Sequence, residues 1–397
     1  MRSERGTPRF EEGYDMRMLV LGAGLQGSAC AYDLLNSDGV SRVRLADQQV
    51  DRLPPFLQPY AGDERLERVH IDARDADSVR RAMEGVDACM NALPYYFNLD
   101  ITKLAVEAGI HYCDLGGNTA IVFDQLKLDE EAAKRGISVI PDCGLAPGMV
   151  NILAGKGIDS LDRADSVKIR VGGLPQNPEP PLNYQIVYSI EGVLDYYTTK
   201  SWIVRDGKPL EVDALSEIEP VKFDEPVGTL EAFHTAGGLS TMPWNWEGRI
   251  RSMEYKTLRY PGHADIMRAI RDLGLLELEP VNVKGTNVVP RDVFIAITEP
   301  RLKKPAAPDL VALRVEVEGE KDGKPHRVQW DLVDRMDEAH GISAMERTTG
   351  FSLSITGQTQ VRGLTRAKGV KTPDVAMPAD HYITELRRRG IEIRQIA

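Results

Sequence analysis

Short apolar runs alternate with amphipathic stretches over the first 150 residues of the chain. Residues 18–21 form a continuous apolar run, which is typical of a parallel strand buried on both faces. The same alternation predicts strands at 18–21, 40–47, 67–72, 86–93, 111–117 and 137–144, and helices at 26–36, 75–85, 98–110 and 124–136. Strands that alternate with helices at this pace predict an α/β fold with a parallel, doubly wound sheet.

The pattern changes after residue 147. A stretch rich in Gly and Pro covers 171–182, and the later runs at 249–260 and 309–320 alternate like half-buried strands. Asp206-Gly207 and Asp322-Gly323 stand where two-residue hairpin turns are expected. Helices are predicted at 189–198, 263–274 and 291–302, the last with Pro290 in its first turn, and a closely packed helix at 342–364. The tail, 381–395, has a helix-then-strand pattern that would return to the first domain.

Composition and charge narrow the class of protein. The chain has 397 residues, enough for two domains, and 60 acidic against 49 basic residues, a net charge of −11. This balance argues against a nucleic-acid binder, because a phosphate backbone selects for clustered Lys and Arg. No apolar run approaches the roughly 18 residues that span a bilayer. Residues 1–16 lack the apolar core of a signal peptide and are interpreted as a disordered leader. We therefore expect a soluble, cytoplasmic protein.

The four cysteines show no CxxC spacing, and each has apolar neighbours. They are Cys30, Cys89, Cys113 and Cys143. This context predicts small buried thiols, and no metal site is expected.

Three glycines follow the first predicted strand with the spacing G-x-G-x-x-G. Gly22 allows a tight turn, Gly24 lets a pyrophosphate approach the backbone, and Gly27 lets helix and strand pack closely. The helix that follows directs its N-terminal amides at the phosphates. Asp47 ends the next strand, 20 residues beyond Gly27, where a carboxylate binds ribose hydroxyls and repels a 2′-phosphate. The sequence therefore predicts NAD as the cofactor. Arg44 should point to the opposite face of its strand.

Ligands of a doubly wound sheet bind beyond the carboxyl ends of its strands. The residues predicted to surround the cofactor are the loop residues Leu25 and Gln26, then Asp72, Asn91, Ala92, Leu93, Pro94, Asp114, Gly116 and the segment from Asp142 to Pro147.

Several blocks of sequence together resemble one family. They are "VLGAGLQG", "NALPYYFN", "KLAVEAGIHYCDLGG", "PDCGLAPGMVN", "SIEGVLDYYT", "EAFHTAGG" and "YKTLRYPGH". From about residue 17 the chain resembles the saccharopine dehydrogenase-like family, and within it the bacterial lysine 6-dehydrogenases. It departs from that pattern in the leader and in the tryptophan-rich stretch 242–250.

The resemblance implies an organisation and a reaction. It implies a dinucleotide-binding domain over 17–147, an α+β substrate and dimerisation domain with a mixed sheet over 148–344, and a C-terminal segment, 345–397, that completes the first sheet. The implied protein is a homodimer. The implied reaction is NAD-dependent oxidation of the ε-amine of L-lysine, which yields the 6-semialdehyde, ammonia and NADH, and the semialdehyde then cyclises.

This chemistry needs a base, because an amine of pKa about 10.4 must lose its proton before hydride can leave. The candidates are His234, beside a glycine pair, Asp114, at the end of a strand, and Lys103, in a segment that carries ionisable groups in saccharopine-reducing relatives. Two of them also have a structural interpretation: His234 as a loop histidine bonded to a backbone carbonyl, and Lys103 as an exposed helix lysine.

The substrate needs groups that bind its two ends. Arg259 is the candidate for the α-carboxylate and Glu191 for an ammonium group, although an acid in the first turn of a helix is favoured electrostatically in any case. Tyr184 and Tyr95 are candidate walls of the pocket, and His263 clusters with Arg259.

Two alternatives stay open. A saccharopine-type enzyme of the same family acts on a secondary amine adduct of an amino acid, and it needs further arginines for the additional carboxylates. A non-catalytic NAD-sensing protein binds cofactor without turnover.

Overall fold

The computed structural model describes residues 15–304 and 307–396. The predicted disordered leader lies outside the described residues up to residue 14, and Met16 already belongs to the first strand. Among the described residues no helix has both the length and the apolar character that crossing a membrane requires.

The strands and helices have the following bounds. The strands are β1 (Met16–Leu21), β2 (Val40–Asp47), β3 (Leu66–His70), β4 (Ala88–Asn91), β5 (His111–Asp114), β6 (Ser138–Ile140), β7 (Arg163–Pro175), β8 (Ser201–Arg205), β9 (Lys208–Val212), β10 (Glu219–Lys222), β11 (Thr229–His234), β12 (Ser252–Arg259), β13 (Val281–Val283), β14 (Thr286–Val288), β15 (Asp309–Lys321), β16 (Lys324–Arg335), β17 (Gly369–Val370) and β18 (Arg394–Ile396). The helices are α1 (Leu25–Leu35), α2 (Ala76–Met83), α3 (Asn98–Ala108), α4 (Thr119–Leu126), α5 (Asp129–Lys134), α6 (Met149–Asp159), α7 (Ile190–Thr198), α8 (Met242–Asn245), α9 (His263–Asp272), α10 (Pro290–Leu302), α11 (Ala344–Val361), α12 (Pro373–Ala376) and α13 (Ala379–Arg388). Short 3-10 helices cover Pro55–Tyr60 and Tyr95–Phe97.

The first sheet is parallel throughout and has seven strands in the order β17-β6-β5-β4-β1-β2-β3. Its two faces are both buried, because Met18 and Val20 belong to one core cluster while Leu19 and Leu21 belong to another. Helices α1 and α11 cover the first face, and α2 and α3 cover the second. The predicted doubly wound parallel sheet is confirmed.

The second sheet is mixed and has nine strands. Its main path runs β10-β11-β12-β7-β15-β16-β18, and the β8–β9 hairpin joins it at β12. β12 pairs with β7 in parallel and the other neighbours are antiparallel. Asp206-Gly207 and Asp322-Gly323 form the predicted two-residue turns, each with positive φ at both positions.

The C-terminal segment contacts both sheets. Helix α11 lies close to α1, since a Cβ on Gly350 would stand 2.7 Å from the Cβ of Ala29. β17 then adds a strand to the first sheet beside β6. The final strand does not follow the prediction: β18 pairs with β16, so the last residues extend the second sheet instead of the first. The outer edge of β16 offers unpaired backbone groups there, and a strand pattern alone does not say which sheet edge it will join.

One helical prediction also needs correction. The helix predicted at 124–136 is two helices, α4 and α5, which are separated at Lys127 and Leu128. Asn118 starts α4 early, because its side chain accepts hydrogen bonds from two backbone amides of the first turn. Helix α6 and the long strand β7, which connect the two sheets, were not predicted from the sequence.

Candidate functional site

The glycine loop between β1 and α1 has the shape that a dinucleotide requires. Gly22 has φ +95°, and a Cβ there would stand 3.0 Å from the carbonyl of Ala92. A Cβ on Gly27 would stand 1.8 Å from the carbonyl oxygen of Gly22. A Cβ on Gly24, in contrast, would meet nothing within 4 Å. The loop is therefore closed against the protein and open at Gly24, where a ligand can reach the backbone.

The N-terminus of α1 is suited to an anion. Gly24 is its N-cap residue, no side chain caps the helix, and its first turn holds no acidic residue. The backbone amides and the helix dipole there favour a negatively charged group such as a pyrophosphate. The buried side-chain oxygen of Gln26, in the same turn, has no hydrogen-bond partner.

Asp47 ends β2 beside this loop. Its carboxylate accepts hydrogen bonds from the backbone amides of Ala23, at 2.8 Å, and Gln49, at 2.7 Å. These contacts fix an anionic group next to the glycine loop. Arg44 points away, as its place in the strand predicts, and its guanidinium binds Glu67 and the carbonyl of Ala82.

A cavity of about 610 Å³ lies between the two sheets at the carboxyl ends of β1, β4 and β5; we call it the main cavity. Its walls include the predicted cofactor residues Gly24, Leu25, Gln26, Ala92, Leu93, Pro94 and Gly116 on one side, and Tyr188, Glu191, Tyr255, Thr257 and Arg259 on the other. An adjoining space of about 530 Å³, the side chamber, shares Tyr95, Gly117, Asp195, Tyr196 and Ala236 with it. Tyr95 thus lines both spaces.

Three predicted cofactor residues stand behind or beside the cavity wall. Asn91 is buried, and its amide binds Asn98 at 2.9 Å and the hydroxyl of Tyr112 at 3.1 Å, which holds the loop after β4 in place. Asp72 is exposed beyond β3, where it accepts hydrogen bonds from Gln48 and the amide of Arg74. Asp114 lies under the wall and is described below.

Arg259 is the principal cation of the main cavity. It is 3% exposed, and it is the one arginine or lysine among the described residues that line this cavity. Its guanidinium donates to the hydroxyl of Tyr197 at 3.2 Å and lies over the ring of Tyr184, 4.8 Å from the centroid. Within the described ranges no carboxylate lies at ion-pair distance from it. A buried guanidinium without an acidic partner is suited to bind an anionic ligand.

A chain of hydrogen bonds holds Arg259 from behind. The hydroxyl of Tyr197 lies 2.9 Å from Nε2 of His263, and Nδ1 of His263 lies 3.0 Å from the carbonyl oxygen of Leu182. Burial, and then the charge of Arg259, lower the pKa of His263 to about 3. The imidazole is therefore neutral, with its proton on Nδ1, and its Nε2 accepts a hydrogen bond from the hydroxyl of Tyr197. His263 and Tyr184 support Arg259 and do not form part of the cavity wall.

Two acidic side chains of α7, Glu191 and Asp195, also line the main cavity. Glu191 is exposed in the first turn of this helix, and Ser189 caps that turn. Asp195 follows one turn later, where Arg291 binds it at 2.6 Å. The lining of the cavity thus includes one buried positive group and two carboxylates.

His234 is not in the cavity, and its prediction as the base is wrong in this structure. The ring is fully buried, with Nδ1 3.2 Å from the carbonyl of Tyr255 and Nε2 3.3 Å from Glu217. Glu217 and Glu254 lie close enough to His234 to share a metal ion. Arg205, 2.9 Å from Glu217, and Lys256, 3.9 Å from Glu254, already balance these carboxylates, so the contacts form an ion-pair network.

Lys103 and Asp114 do not reach the cavity either. Lys103 is exposed on the outer face of α3 and pairs with Asp100 at 3.0 Å. Asp114 is fully buried and accepts hydrogen bonds from the amide of Gly116 at 2.7 Å and the side chain of Gln125 at 2.7 Å. Burial raises the pKa of Asp114, and its contacts shape the glycine turn that lines the cavity.

Asp142 is a functional candidate whose specific role sequence reasoning missed. It follows β6, has φ +61°, and is 2% exposed. A Cβ on Gly116 would stand 1.8 Å from its carboxylate, so Asp142 lies directly under the cavity wall. The hydroxyl of Ser240, which lines the side chamber, donates to the same carboxylate. Burial, and to a lesser degree Asp114, raise the pKa of Asp142 to about 7. The one available signal was its position at the carboxyl end of a strand.

Comparisons with known proteins agree with this geometry. A model of the saccharopine dehydrogenase NADP binding domain matches residues 18–140, and a model of the saccharopine dehydrogenase C-terminal domain matches residues 144–391. Saccharopine dehydrogenase (NADP+, L-glutamate-forming) of Saccharomyces cerevisiae is 24% identical over 277 residues, which cover 66% of this chain and 58% of that protein. The mitochondrial alpha-aminoadipic semialdehyde synthase of Mus musculus is 23% identical over 275 residues, 29% of its length. The match thus spans little more than half of the yeast relative.

Solved structures share the fold. The apo saccharopine dehydrogenase (L-Glu forming) of Saccharomyces cerevisiae superimposes with a TM-score of 0.77 at 20% identity, over 96% of this chain and all of that chain. The homospermidine synthase of Legionella pneumophila in complex with NAD gives a TM-score of 0.70 at 11% identity, over 96% and 91% of the two chains. The glycine loop and the match to the NADP binding domain model support a nicotinamide dinucleotide cofactor. The narrower resemblance to the lysine 6-dehydrogenases stays a prediction. The chain belongs to the saccharopine dehydrogenase family.

Proposed function

We propose that this protein oxidises the ε-amine of L-lysine with NAD, releasing ammonia and the 6-semialdehyde, which cyclises. The observation that carries the proposal is the charge of the main cavity. Its wall has one buried cation, Arg259, and two acids, Glu191 and Asp195. One guanidinium suits one carboxylate, and the acids suit a cationic amine. A saccharopine-type adduct has additional carboxylates, for which the described residues that line this cavity include no further arginine.

NAD is the proposed form of the cofactor. The glycine loop, the N-terminus of α1 and the backbone from Ala92 to Pro94 would hold it, and the cofactor would supply the acceptor for the hydride. The carboxylate of Asp47 is fixed beside the loop by two backbone amides. A 2′-phosphate at that position would meet this negative charge, whereas ribose hydroxyls would donate hydrogen bonds to it.

Arg259 and α7 would orient the substrate. Arg259 would bind the α-carboxylate, and Glu191 would receive the α-ammonium group at the open side of the cavity. Both groups would then hold substituents of the α-carbon, and the ε-end of the substrate would extend towards the region lined by Gly116 and Tyr95, beside the predicted cofactor site. Fixing the α-carboxylate and the α-ammonium group in this way lowers the entropic cost of the reaction.

Ser240 and Asp142 would remove the proton. The ε-ammonium loses a proton to give the neutral amine, hydride then leaves the ε-carbon, and water adds to the resulting iminium ion to release ammonia. The hydroxyl of Ser240 would take the first proton while passing its own to Asp142. A carboxylate whose pKa is about 7 can accept that proton near neutral pH.

A second candidate is the saccharopine-type reaction, which the names of the relatives favour. In support of this reaction, Lys200 lines the side chamber and could bind a further carboxylate there. Glu211, however, lines the same chamber. The two candidate reactions differ in their substrate: the first oxidises a free amino acid, and the second acts on a secondary amine adduct of an amino acid.

A spectrophotometric screen separates them. The purified protein is mixed with NAD or NADP and with L-lysine, L-ornithine or saccharopine, and NADH or NADPH is followed at its absorbance. Lysine with NAD is expected to give a catalytic efficiency at least tenfold above that of saccharopine. Turnover of saccharopine with little or none of lysine would replace the proposal with the second candidate.

A further inference from the structure

The tryptophan-rich stretch 242–250, where the sequence departs from the family pattern, contains helix α8. The loop 235–241, which connects β11 to this helix, supplies four residues to the wall of the side chamber: Ala236, Gly237, Leu239 and Ser240. Ser240 is thus only two residues away from the start of α8. The position of this helix therefore decides where the hydroxyl of Ser240 lies.

Helix α8 is hydrogen-bonded to the C-terminal segment. Nε1 of Trp246 donates to the carboxylate of Asp374 at 3.0 Å, and the side-chain amide of Asn245 donates to the same carboxylate at 3.2 Å. Asn245 also donates to the hydroxyl of Thr372 at 3.0 Å. Asp374 lies on α12, shortly after β17, and is 5% exposed. These contacts, which we call the α8 clamp, therefore connect a helix that follows the second sheet to a helix that follows the first.

The loop 235–241 is also fixed on its other side. The side-chain amide of Asn151, on α6, donates to the carbonyls of Gly238 at 3.3 Å and Leu239 at 3.2 Å, and its oxygen accepts from the amide of Gly148 at 2.6 Å. Ser240 itself has φ +49°, which is unfavourable for a residue with a side chain. Such a conformation persists only where the surrounding contacts hold it. Asn151 holds the loop just before Ser240, and the α8 clamp holds it just after.

Asp374 also brings a negative charge to the surroundings of Asp142. The titratable groups that face Asp142 come from several elements and are Asp114, Cys143, Tyr196 and Asp374. Burial raises the pKa of the thiol and of the phenol, so both are neutral, whereas the two carboxylates raise the pKa of Asp142. The hydrogen bond from Ser240 lowers the pKa of Asp142. The α8 clamp thus supplies a charge that acts in one direction and supports a hydrogen bond that acts in the other.

We propose that Trp246 and Asp374 are positioning residues: their hydrogen bond holds the loop that carries Ser240 against Asp142, and Asp374 places a second negative charge near that carboxylate. Neither residue lines the main cavity or the side chamber, so neither would touch the substrate. The inference rests on the proposed function, in which Ser240 and Asp142 remove the proton from the amine.

Two substitutions separate the hydrogen bond from the charge. Trp246→Phe keeps an aromatic ring and removes the donor, so the Ser240–Asp142 contact should weaken. We expect kcat for lysine to fall about tenfold with KM unchanged, and the acid limb of the kcat profile to move up by about half a pH unit. Asp374→Asn keeps an oxygen that accepts from Trp246 but removes the charge. Its acid limb should move down by about half a pH unit.

Trp244→Phe is the matched control. Trp244 belongs to the same helix, its ring packs against Phe123 and Trp202, and its Nε1 donates to no described residue. This variant should keep the wild-type kcat and the wild-type acid limb. Circular dichroism checks that each variant is folded.

An infrared titration measures the same quantity without substrate. The carbonyl band of the protonated Asp142 carboxyl group, identified by its loss in Asp142→Asn, should titrate with a midpoint near 7 in the wild-type protein. A higher midpoint in Trp246→Phe and a lower one in Asp374→Asn would support the proposal, even if the protein did not oxidise lysine and the proposed function failed. Midpoints that stay at the wild-type value, or that move in the same direction in both variants, would overturn the proposal, and a wild-type protein that oxidises lysine would leave the proposed function standing.

Discussion

Ser240 donates a hydrogen bond to the carboxylate of Asp142, which joins a loop after β11 to the carboxyl end of β6. The serine lines the side chamber and the aspartate lies under Gly116, at the wall of the main cavity. The hydroxyl of Ser240 therefore lies between a carboxyl group of raised pKa and the space where we expect the reacting amine. None of the three bases predicted from the sequence has a comparable position.

Replacing Asp142 by Asn should lower kcat for lysine about 100-fold or more, because the proton acceptor is lost while a similar shape is kept. The wild-type kcat should fall as pH drops below about 7, since the carboxyl group is then protonated, and the variant should lose this acid limb. Stopped-flow kinetics at several pH values measure both effects. Lys103→Met is the control and should behave as wild type. A normal kcat with an unchanged acid limb in Asp142→Asn would rule out this role.

The same residue should make stability depend on pH. The folded pKa of Asp142, about 7, is above the ordinary value of 3.8, so the folded protein binds more protons than the unfolded chain between these values. The contribution of Asp142 to the free energy of unfolding is therefore fully present at low pH. It decreases as pH rises from about 4 to about 7, by up to roughly 1.4 kcal/mol per pH unit.

Thermal unfolding of wild-type protein and Asp142→Asn across that range checks the sign. The Tm of the variant should exceed that of wild type by a margin that widens as pH rises to 7. A margin that narrows with rising pH would show that the carboxyl group is not destabilised by burial.

His263→Phe should weaken substrate binding without changing cofactor binding. The substitution removes the acceptor for Tyr197, whose hydroxyl holds Arg259, so the guanidinium loses its fixed position. We expect KM for lysine to rise about tenfold, with the dissociation constant of NAD unchanged by fluorescence titration. Tyr197→Phe should have a similar effect, and the double variant should be no worse than the single ones, because both act on the same chain of hydrogen bonds. Additive losses would contradict this linkage.

Asp47→Ser should relax the preference for NAD over NADP. Wild-type protein is expected to favour NAD at least tenfold in kcat/KM, and the variant should reduce this ratio to about one or lower. Asp72→Ser, at an exposed acid that follows β3, is the control and should keep the wild-type ratio. Equal use of both cofactors by the wild-type protein would overturn the assignment.

Local patterns predicted those features that depend on neighbours in sequence. The first sheet, the two hairpin turns and the roles of Gly22, Gly24 and Gly27 all follow from short-range spacing. Arg259, which was selected because it clusters with His263 at a strand-to-helix exit, does line the main cavity, and its role there stays a prediction. The α/β class and the parallel first sheet could thus be predicted from local patterns.

Features that depend on tertiary contacts could not be predicted. His234 and Ala236 lie two residues apart, yet only Ala236 lines the cavity, because the ring of His234 is held by β12 and Glu217. Ser240 meets Asp142 across 98 residues. Likewise β18 joins the second sheet because β16 leaves an open edge, which no pattern within residues 381–395 could indicate.

The most direct test of the central claim compares L-lysine with cadaverine, the same diamine without the carboxylate, on wild-type protein and Arg259→Gln. If Arg259 binds the α-carboxylate of an amino acid oxidised at its far end, wild type should favour lysine over cadaverine at least 100-fold in kcat/KM with NAD. Arg259→Gln should reduce that ratio to within about tenfold of one, through a loss of lysine turnover alone. An Arg259→Gln variant that kept the wild-type ratio, or a wild-type protein that oxidised neither amine, would contradict the account.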